Sequence, residues 1–278
     1  MPITRAARVL VILAACAVAG FGAAAPAAAD PPGHVRAAIT TLADSSTKTV
    51  TVTCPLGTVV TGGGAHLTAP SAAVQGYIAI ERLEPRDDGK GFTATMIEAQ
   101  LTGIAWRMTV ATLCATPPAG WDVVAVTGPI GGSVVTVDCG TKNVIGMGGR
   151  INNGGGDVVL DKVAPSTSLK SVTARGSVIP GRHPGEWSVT AFAVCANVTG
   201  QLIQWPAPAG PAATKSANVT CEAGQALYSA GGEVAPGSGS VYLDMAQASD
   251  VNTAVARGNK AFGAAPPPWG VMVYGICG

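Results

Sequence analysis

Short segments in which β-branched and polar residues alternate recur along almost the whole chain. Such alternation is typical of a β-strand that buries one face. Three of these segments end in a cysteine: Thr49–Cys54, Val134–Cys139 and Ala217–Cys221. Glycine and proline separate the segments, and beyond the N-terminal region no stretch has helical periodicity between caps. The pattern therefore predicts an all-β protein.

Three segments run from a tryptophan to a cysteine eight residues later: Trp106–Cys114, Trp187–Cys195 and Trp269–Cys277. Matched segments of this kind indicate an internal repeat. Repeats of ~82 residues then occupy residues 30–116, 117–198 and 199–278. We predict one closed, β-prism-like domain with pseudo-threefold symmetry, because closure buries the apolar face of each repeat and protects the sheet edges. The alternative is three tandem small β-sandwiches.

Glycine clusters follow the first cysteine of each repeat, at Gly62-Gly63-Gly64, Gly148-Gly149 and Gly231-Gly232. Glycine inside a strand pattern usually marks a bulge or a close approach of two backbones. Because the clusters recur in all three repeats, we expect neighbouring strands or repeats to come too close there for a Cβ atom.

The N-terminal region has the pattern of an export signal. Arg5 and Arg8 accompany an apolar run from residue 9 to 22, and Ala27–Ala29 form a small-residue cleavage site. We predict a signal peptide over residues 1–29 and secretion of the mature chain, with no integral membrane segment after its removal. The segment that ends in Cys16 also matches a bacterial lipoprotein box, so a lipid anchor at Cys16 is the alternative.

Six cysteines remain once the signal is removed, and an even count in an exported chain favours disulfides. The repeats select pairs within each repeat, separated by 60, 56 and 56 residues. The predicted bonds are Cys54–Cys114, Cys139–Cys195 and Cys221–Cys277. Because the chain has no Cys-x-x-Cys pair and its histidines are scattered, we expect neither zinc nor another cofactor.

One acidic residue recurs at nearly the same place in each repeat, 25, 26 and 25 residues before the tryptophan: Glu81, Asp161 and Asp244. These acids are weak candidates for metal ligands. We favour a structural role, because Arg175 and Arg257 lie on the next predicted strand and can pair with the acid across the strands. Repeat 1 breaks the pattern, since Ala94 and Thr95 occupy the matching region.

The aromatic residues fall into two groups. The tryptophan of each Trp-to-Cys segment has a fixed spacing to its cysteine, which favours a core anchor beside the disulfide over a platform for sugar rings. Better candidates for ligand contact are Trp121 and Trp205 in the segments that link the repeats, together with Tyr77 and Tyr242.

Charge and motifs narrow the function classes. The chain has 17 Lys and Arg against 16 Asp and Glu with no long charge run, so we expect no nucleic-acid partner. No Gly-x-Ser-x-Gly or His-Glu-x-x-His motif is present, and we expect no enzyme. The leading hypothesis is a secreted, lectin-like, non-catalytic protein that binds an extracellular glycan or another cell-surface component. The alternatives are a structural, envelope-associated protein without a small ligand, and a hydrolase with a dispersed site.

The stretch from Cys54 to Val60 with its three following glycines, and the segment Trp106 to Ala115, resemble a repeat of secreted actinobacterial proteins of uncharacterised function. More distantly, three β repeats with disulfides are similar to the vitelline membrane outer layer protein, a β-prism of three Greek-key sheets. This second resemblance implies a fold and no activity.

Overall fold

The computed structural model describes residues 33–68 and 72–278, and it confirms an all-β fold. Each repeat supplies six strands in chain order. Repeat 1 contains β1 (Val35–Thr40), β2 (Lys48–Thr53), β3 (Val59–Thr68), β4 (Ile78–Pro85), β5 (Gly91–Glu98) and β6 (Arg107–Ala115), with a 3-10 turn at Ala72–Val74. Repeat 2 contains β7 (Asp122–Thr127), β8 (Val134–Asp138), β9 (Asn143–Asn152), β10 (Val158–Pro165), β11 (Ser171–Val178) and β12 (Ser188–Ala196). Repeat 3 contains β13 (Gln201–Gly210), β14 (Thr214–Thr220), β15 (Leu227–Ala235), β16 (Val241–Ala248), β17 (Thr253–Lys260) and β18 (Trp269–Cys277).

The predicted signal peptide and the Cys16 anchor lie outside the described residues. In the part of the chain that is described, no helix is long and apolar enough to cross a membrane.

The strands form three six-stranded sheets, and each sheet combines two repeats. The strand orders are β1-β6-β3-β16-β17-β14, β2-β5-β4-β9-β12-β7 and β13-β18-β15-β10-β11-β8. Every repeat therefore gives three strands to one sheet and three to the next, which joins the sheets into a closed, threefold prism. One apolar cluster contains buried residues of all three repeats. This arrangement differs from tandem sandwiches, in which each repeat would pair its strands within itself.

The seams between repeats explain the glycine clusters. At each seam only two residue pairs are in register, for example where β3 meets β16. A Cβ atom on Gly64 would lie 2.0 Å from the carbonyl oxygen of Ala246, and one on Gly148 would lie 2.4 Å from that of Leu83. Gly231 has the same relation to Val163, again at 2.4 Å. The predicted close approach of neighbouring repeats is confirmed.

A β-bulge lies beside each glycine cluster. The register of β3 with β6 shifts between Val60 and Gly62, and β9 and β15 shift at the corresponding places. Bulges bend strands and increase their twist. The three bulged strands approach one another here: a Cβ atom on Gly146 of β9 would lie 1.8 Å from the Thr61 carbonyl oxygen of β3.

All three predicted disulfides are present, with Cα–Cα distances of 5.8, 5.6 and 5.8 Å. In each pair the first cysteine directly follows the second strand of its repeat, which is an edge strand of one sheet. The second cysteine lies on the last strand of the repeat, which belongs to a different sheet. Each disulfide therefore ties two sheets together, and the three bonds together link all three sheets.

The repeated tryptophans are buried, with exposures of 0% for Trp106, 7% for Trp187 and 0% for Trp269. They are not beside the disulfides, however, and that part of the prediction is wrong. Eight strand residues span roughly 26 Å, so tryptophan and cysteine lie at opposite ends of the closing strand. The Trp187 and Trp269 rings instead adjoin Gly176 on β11 and Gly258 on β17, each of which belongs to a different sheet from the closing strand of its repeat.

Candidate functional site

The recurring acids occupy a special backbone position. In β4, β10 and β16 the register shifts by one residue, and the extra residue is the acid: Glu81, Asp161 and Asp244. A bulge re-aims the side chain that it carries. The common position makes the three repeats directly comparable, and the comparison shows that one repeat departs from the other two.

In repeat 2 the acid is neutralised inside the protein. Asp161 is fully buried, and its Oδ1 accepts a 2.7 Å hydrogen bond from Nε of Arg175. The Ser177 hydroxyl donates to the other carboxylate oxygen. A cation with a hydroxyl donor satisfies a carboxylate that has left water. A Cβ atom on Gly237 would collide with both members of the ion pair. The loop of repeat 3 that contains Gly237 therefore closes over the pair.

Repeat 3 neutralises its acid in the same way, with a buried ion pair to arginine. Asp244 is fully buried and receives two hydrogen bonds from Arg257, at 2.7 Å and 2.9 Å. The same guanidinium donates to the carbonyl oxygen of Leu67 at 3.2 Å, as Arg175 does to Val234 at 2.8 Å. The expected cross-strand pairing of acid and arginine is therefore confirmed for repeats 2 and 3.

Repeat 1 lacks both partners. The register places Thr95 where the other repeats have arginine, and Ile97 where they have Ser177 and Asn259. The Thr95 hydroxyl is already engaged with that of Thr49 at 2.9 Å. Among the described residues, the Glu81 side chain forms no hydrogen bond and no ion pair. Burial raises the pKa of the Glu81 carboxyl above its ordinary value, and the nearby charge of Arg82 partly opposes that shift.

Glu81 lines an open cleft of about 480 Å³, which we call the repeat-1 cleft. Its wall also includes Thr47, Ile97 and Glu98 from repeat 1 and the turn Gly155-Gly156 from repeat 2. Glu98 has one carboxylate oxygen, Oε1, that is buried and lacks a hydrogen-bond partner within the described residues. The cleft thus holds two carboxylates, neither of them paired with a cation in the described part of the chain.

The equivalent place in repeat 2 is a smaller depression of about 290 Å³. There Ser177 and Val178 stand at the positions of Ile97 and Glu98, and the turn that contains Gly237 and Ser238 stands where repeat 1 meets Gly155 and Gly156. Arg175 lines this depression, while Asp161 is fully buried. The repeat-1 cleft is therefore the same site without its internal guanidinium.

The two linking tryptophans lie in different environments. Trp121 is half-buried; its indole N–H donates to the Val60 carbonyl at 2.9 Å, and its ring lies against Gly89. Trp205 lies on the edge strand β13 and is 63% exposed. Neither tryptophan lines the repeat-1 cleft. A ligand contact at Trp205 stays a prediction, whereas the polar group of Trp121 is already engaged within the protein.

The two tyrosines are near one another but outside the cleft. The ring of Tyr77 stacks on Phe262 with 4.7 Å between the ring centroids. Tyr242 is fully buried, its hydroxyl donates to the Gly76 carbonyl, and burial raises the pKa of that hydroxyl. Because its side chain has no exposed surface, Tyr242 serves packing in this conformation.

No group of three or more His, Cys, Asp or Glu side chains is placed to hold a metal ion anywhere in residues 33–68 and 72–278. The acids proposed as weak metal candidates are separated, one per sheet. Two of them are ion-paired to arginine, which excludes them as open ligands in this conformation.

No protein-family model matches the chain, and no curated protein is significantly similar to it.

Proposed function

We propose that this is a non-catalytic binding protein of the cell exterior and that the repeat-1 cleft is its binding site for a polar ligand, such as a glycan or another cell-surface component. One observation carries the proposal. The acid that repeats 2 and 3 neutralise internally lines an open cleft in repeat 1 and lacks an internal partner.

The lining of the cleft suits a polyhydroxyl ligand. Carboxylate oxygens of Glu81 and Glu98 accept hydrogen bonds, and the hydroxyl of Thr47 both donates and accepts. The Gly155-Gly156 turn has no side chains to obstruct a ring. Leu101, which is 88% exposed, adds an apolar contact at the rim. An apolar contact beside a few polar groups is the usual composition of a small-ligand site.

An extracellular location is supported by the three disulfides, which are typical of oxidising compartments. The N-terminal sequence, which has the pattern of an export signal, also favours an extracellular location. Free secretion and a lipid anchor at Cys16 both place the cleft outside the cell, and release of the protein into culture medium would separate them.

The test is retention on a glycan array and on insoluble wall polysaccharides. We expect the wild type to be retained and Glu81→Gln to lose affinity by about tenfold or more. Glu222→Gln is the matched control, because it removes an exposed carboxylate of another repeat. If no glycan or wall fraction retains the wild type, the proposal fails, and a structural, envelope-associated role becomes the better account.

A second candidate is a glycoside hydrolase, and one specific observation favours it. Two carboxylates line a single cleft, and the pKa of one of them, Glu81, is raised by burial, as a general acid requires. Release of reducing ends from a retained polysaccharide by the wild type, abolished in Glu81→Gln, would replace the non-catalytic proposal. Retention without turnover would reject this candidate.

A further inference from the structure

The repeat-1 cleft stands where repeats 2 and 3 hold an arginine side chain. In both of those repeats a guanidinium bridges the bulged acid and a backbone carbonyl of the next repeat, Val234 or Leu67. By register, the carbonyl that corresponds to these in repeat 1 belongs to Ile151 of β9. Repeat 1 therefore has the bulged acid and, by register, the equivalent backbone position of a guanidinium site, and it lacks the arginine.

We propose that the ligand of the repeat-1 cleft carries a guanidinium group, which binds Glu81 in place of the missing arginine. This inference rests on the proposed function and specifies one group of its ligand: a glycan or other cell-surface component that also carries a guanidinium. Glu98 adds a second observation: its side chain lines the same cleft, and its Oε1 has no hydrogen-bond partner within the described residues, so this carboxylate is not committed elsewhere in that part of the protein.

The two nearby arginines of the protein do not bind Glu81. The closest positive charge in sequence is Arg82, whose Nε is held by Glu84 at 2.7 Å. Arg150, on the adjoining strand of repeat 2, is held by the same carboxylate at 2.9 Å. Both arginines are paired with Glu84, and neither forms an ion pair with Glu81 or Glu98.

A guanidinium suits the site better than an ammonium group. Arg257 binds Asp244 through two nitrogens of one planar fork and uses one of them for the carbonyl contact as well. A point-like ammonium group cannot reproduce two parallel bonds with a fixed geometry. The probes that separate these chemistries are methylguanidine, methylammonium and the neutral, nearly isosteric methylurea.

The experiment titrates each probe into the ¹⁵N-labelled protein and follows its backbone amide signals. We expect methylguanidine to shift the amides of Glu98, Gly155 and Gly156 in a saturable way. Methylammonium should saturate at higher concentration, and methylurea should cause no saturable shift. Glu81→Gln should weaken methylguanidine binding by about tenfold or more, while Glu222→Gln should leave it unchanged.

Two further variants use the repeats as internal controls. Thr95→Arg combined with Ile97→Ser installs the partners of repeat 2 and should abolish methylguanidine binding in the cleft. Arg175→Ala removes the internal guanidinium of repeat 2 and should create a second site, detected at Ser177 and Gly237. Equal binding to wild type and Glu81→Gln, equal affinity for methylurea, or binding only in Arg175→Ala would each overturn the inference.

The outcomes also separate this inference from the proposed function. Glycan retention that depends on Glu81 without methylguanidine binding overturns the guanidinium preference alone. Methylguanidine binding in the cleft without retention on any glycan or wall fraction supports the guanidinium preference and overturns the proposed function.

Discussion

Replacing Gly64 with alanine tests whether neighbouring repeats share one sheet. The added Cβ would lie 2.0 Å from the Ala246 carbonyl oxygen and 2.5 Å from the Gln247 Cα, both on β16 of repeat 3. Unstrained contacts of carbon atoms lie near about 3.5 Å, so the strands must separate by more than about 1 Å. No flexible side chain can yield, because the obstacle is backbone, and β17 holds β16 in register from the other side.

Overpacking of this kind costs about 1–3 kcal/mol, and we expect the upper value because the obstacle is rigid. For a chain of this length, each kcal/mol lowers the melting temperature by about 2–4 °C, so Gly64→Ala should lower it by roughly 6–12 °C. Gly148→Ala and Gly231→Ala should behave alike, since each meets a backbone oxygen at 2.4 Å.

The assay is calorimetric unfolding of wild type, Gly64→Ala and Gly185→Ala. A Cβ atom on Gly185 would have no neighbour within 4 Å, so this control should change stability by about 1 kcal/mol at most, and in the stabilising direction. If Gly64→Ala unfolds within about 0.5 kcal/mol of Gly185→Ala, the two strands do not approach as described and the shared sheet is refuted.

Other predictions concern the crosslinks and two titrating groups. Cys139→Ala with Cys195→Ala opens a 56-residue span and should cost about 4 kcal/mol in urea unfolding; an unchanged midpoint would contradict that crosslink. Burial lowers the pKa of His66 in the folded protein. As the pH falls below about 6.5, the unfolded chain therefore binds a proton at His66 more readily than the folded protein does, and the free energy of unfolding should decrease. His66→Gln should reduce this loss of stability at low pH. If the variant has the same dependence of stability on pH as the wild type, groups other than His66 cause the loss. Burial raises the pKa of Glu81, so methylguanidine affinity should increase with pH above the ordinary value of 4.5 as the carboxyl ionises; Glu81→Gln should show no such dependence, and a pH-independent wild type would exclude Glu81 as the partner.

Much of the fold is predictable from local pattern. Alternation of β-branched and polar residues locates strands because the side-chain period of a strand is two. The disulfides follow from the repeats, since equivalent cysteines must occupy equivalent places. The glycines indicate close approach but not its partner, because pairing between β3 and β16 joins residues nearly 180 positions apart. The sequence pattern cannot place the repeated tryptophans beside the disulfides, because a fixed spacing along an extended strand means a fixed separation and not a contact.

The candidate site is only partly predictable. Glu81 is recognisable in the sequence as a repeated acid whose arginine is missing, and the register confirms that Thr95 occupies the place of that arginine. The sequence does not single out Glu98 and Ile97. They matter because they occupy the positions of Val178 and Ser177 in repeat 2, and the one-residue bulge obscures that equivalence. The aromatic ring of Tyr242 suggests a ligand contact, but its burial depends on which face of β16 points inward, and the sequence does not reveal that face.

The most direct test of the account is a crystal structure of the protein soaked with methylguanidine. We expect a planar guanidinium in the repeat-1 cleft, with its nitrogens about 2.7–2.9 Å from the Glu81 carboxylate, in the orientation that Arg257 adopts against Asp244. A cleft that holds only water, while methylguanidine is bound elsewhere, would contradict the claim that repeat 1 exposes a site for an external cation.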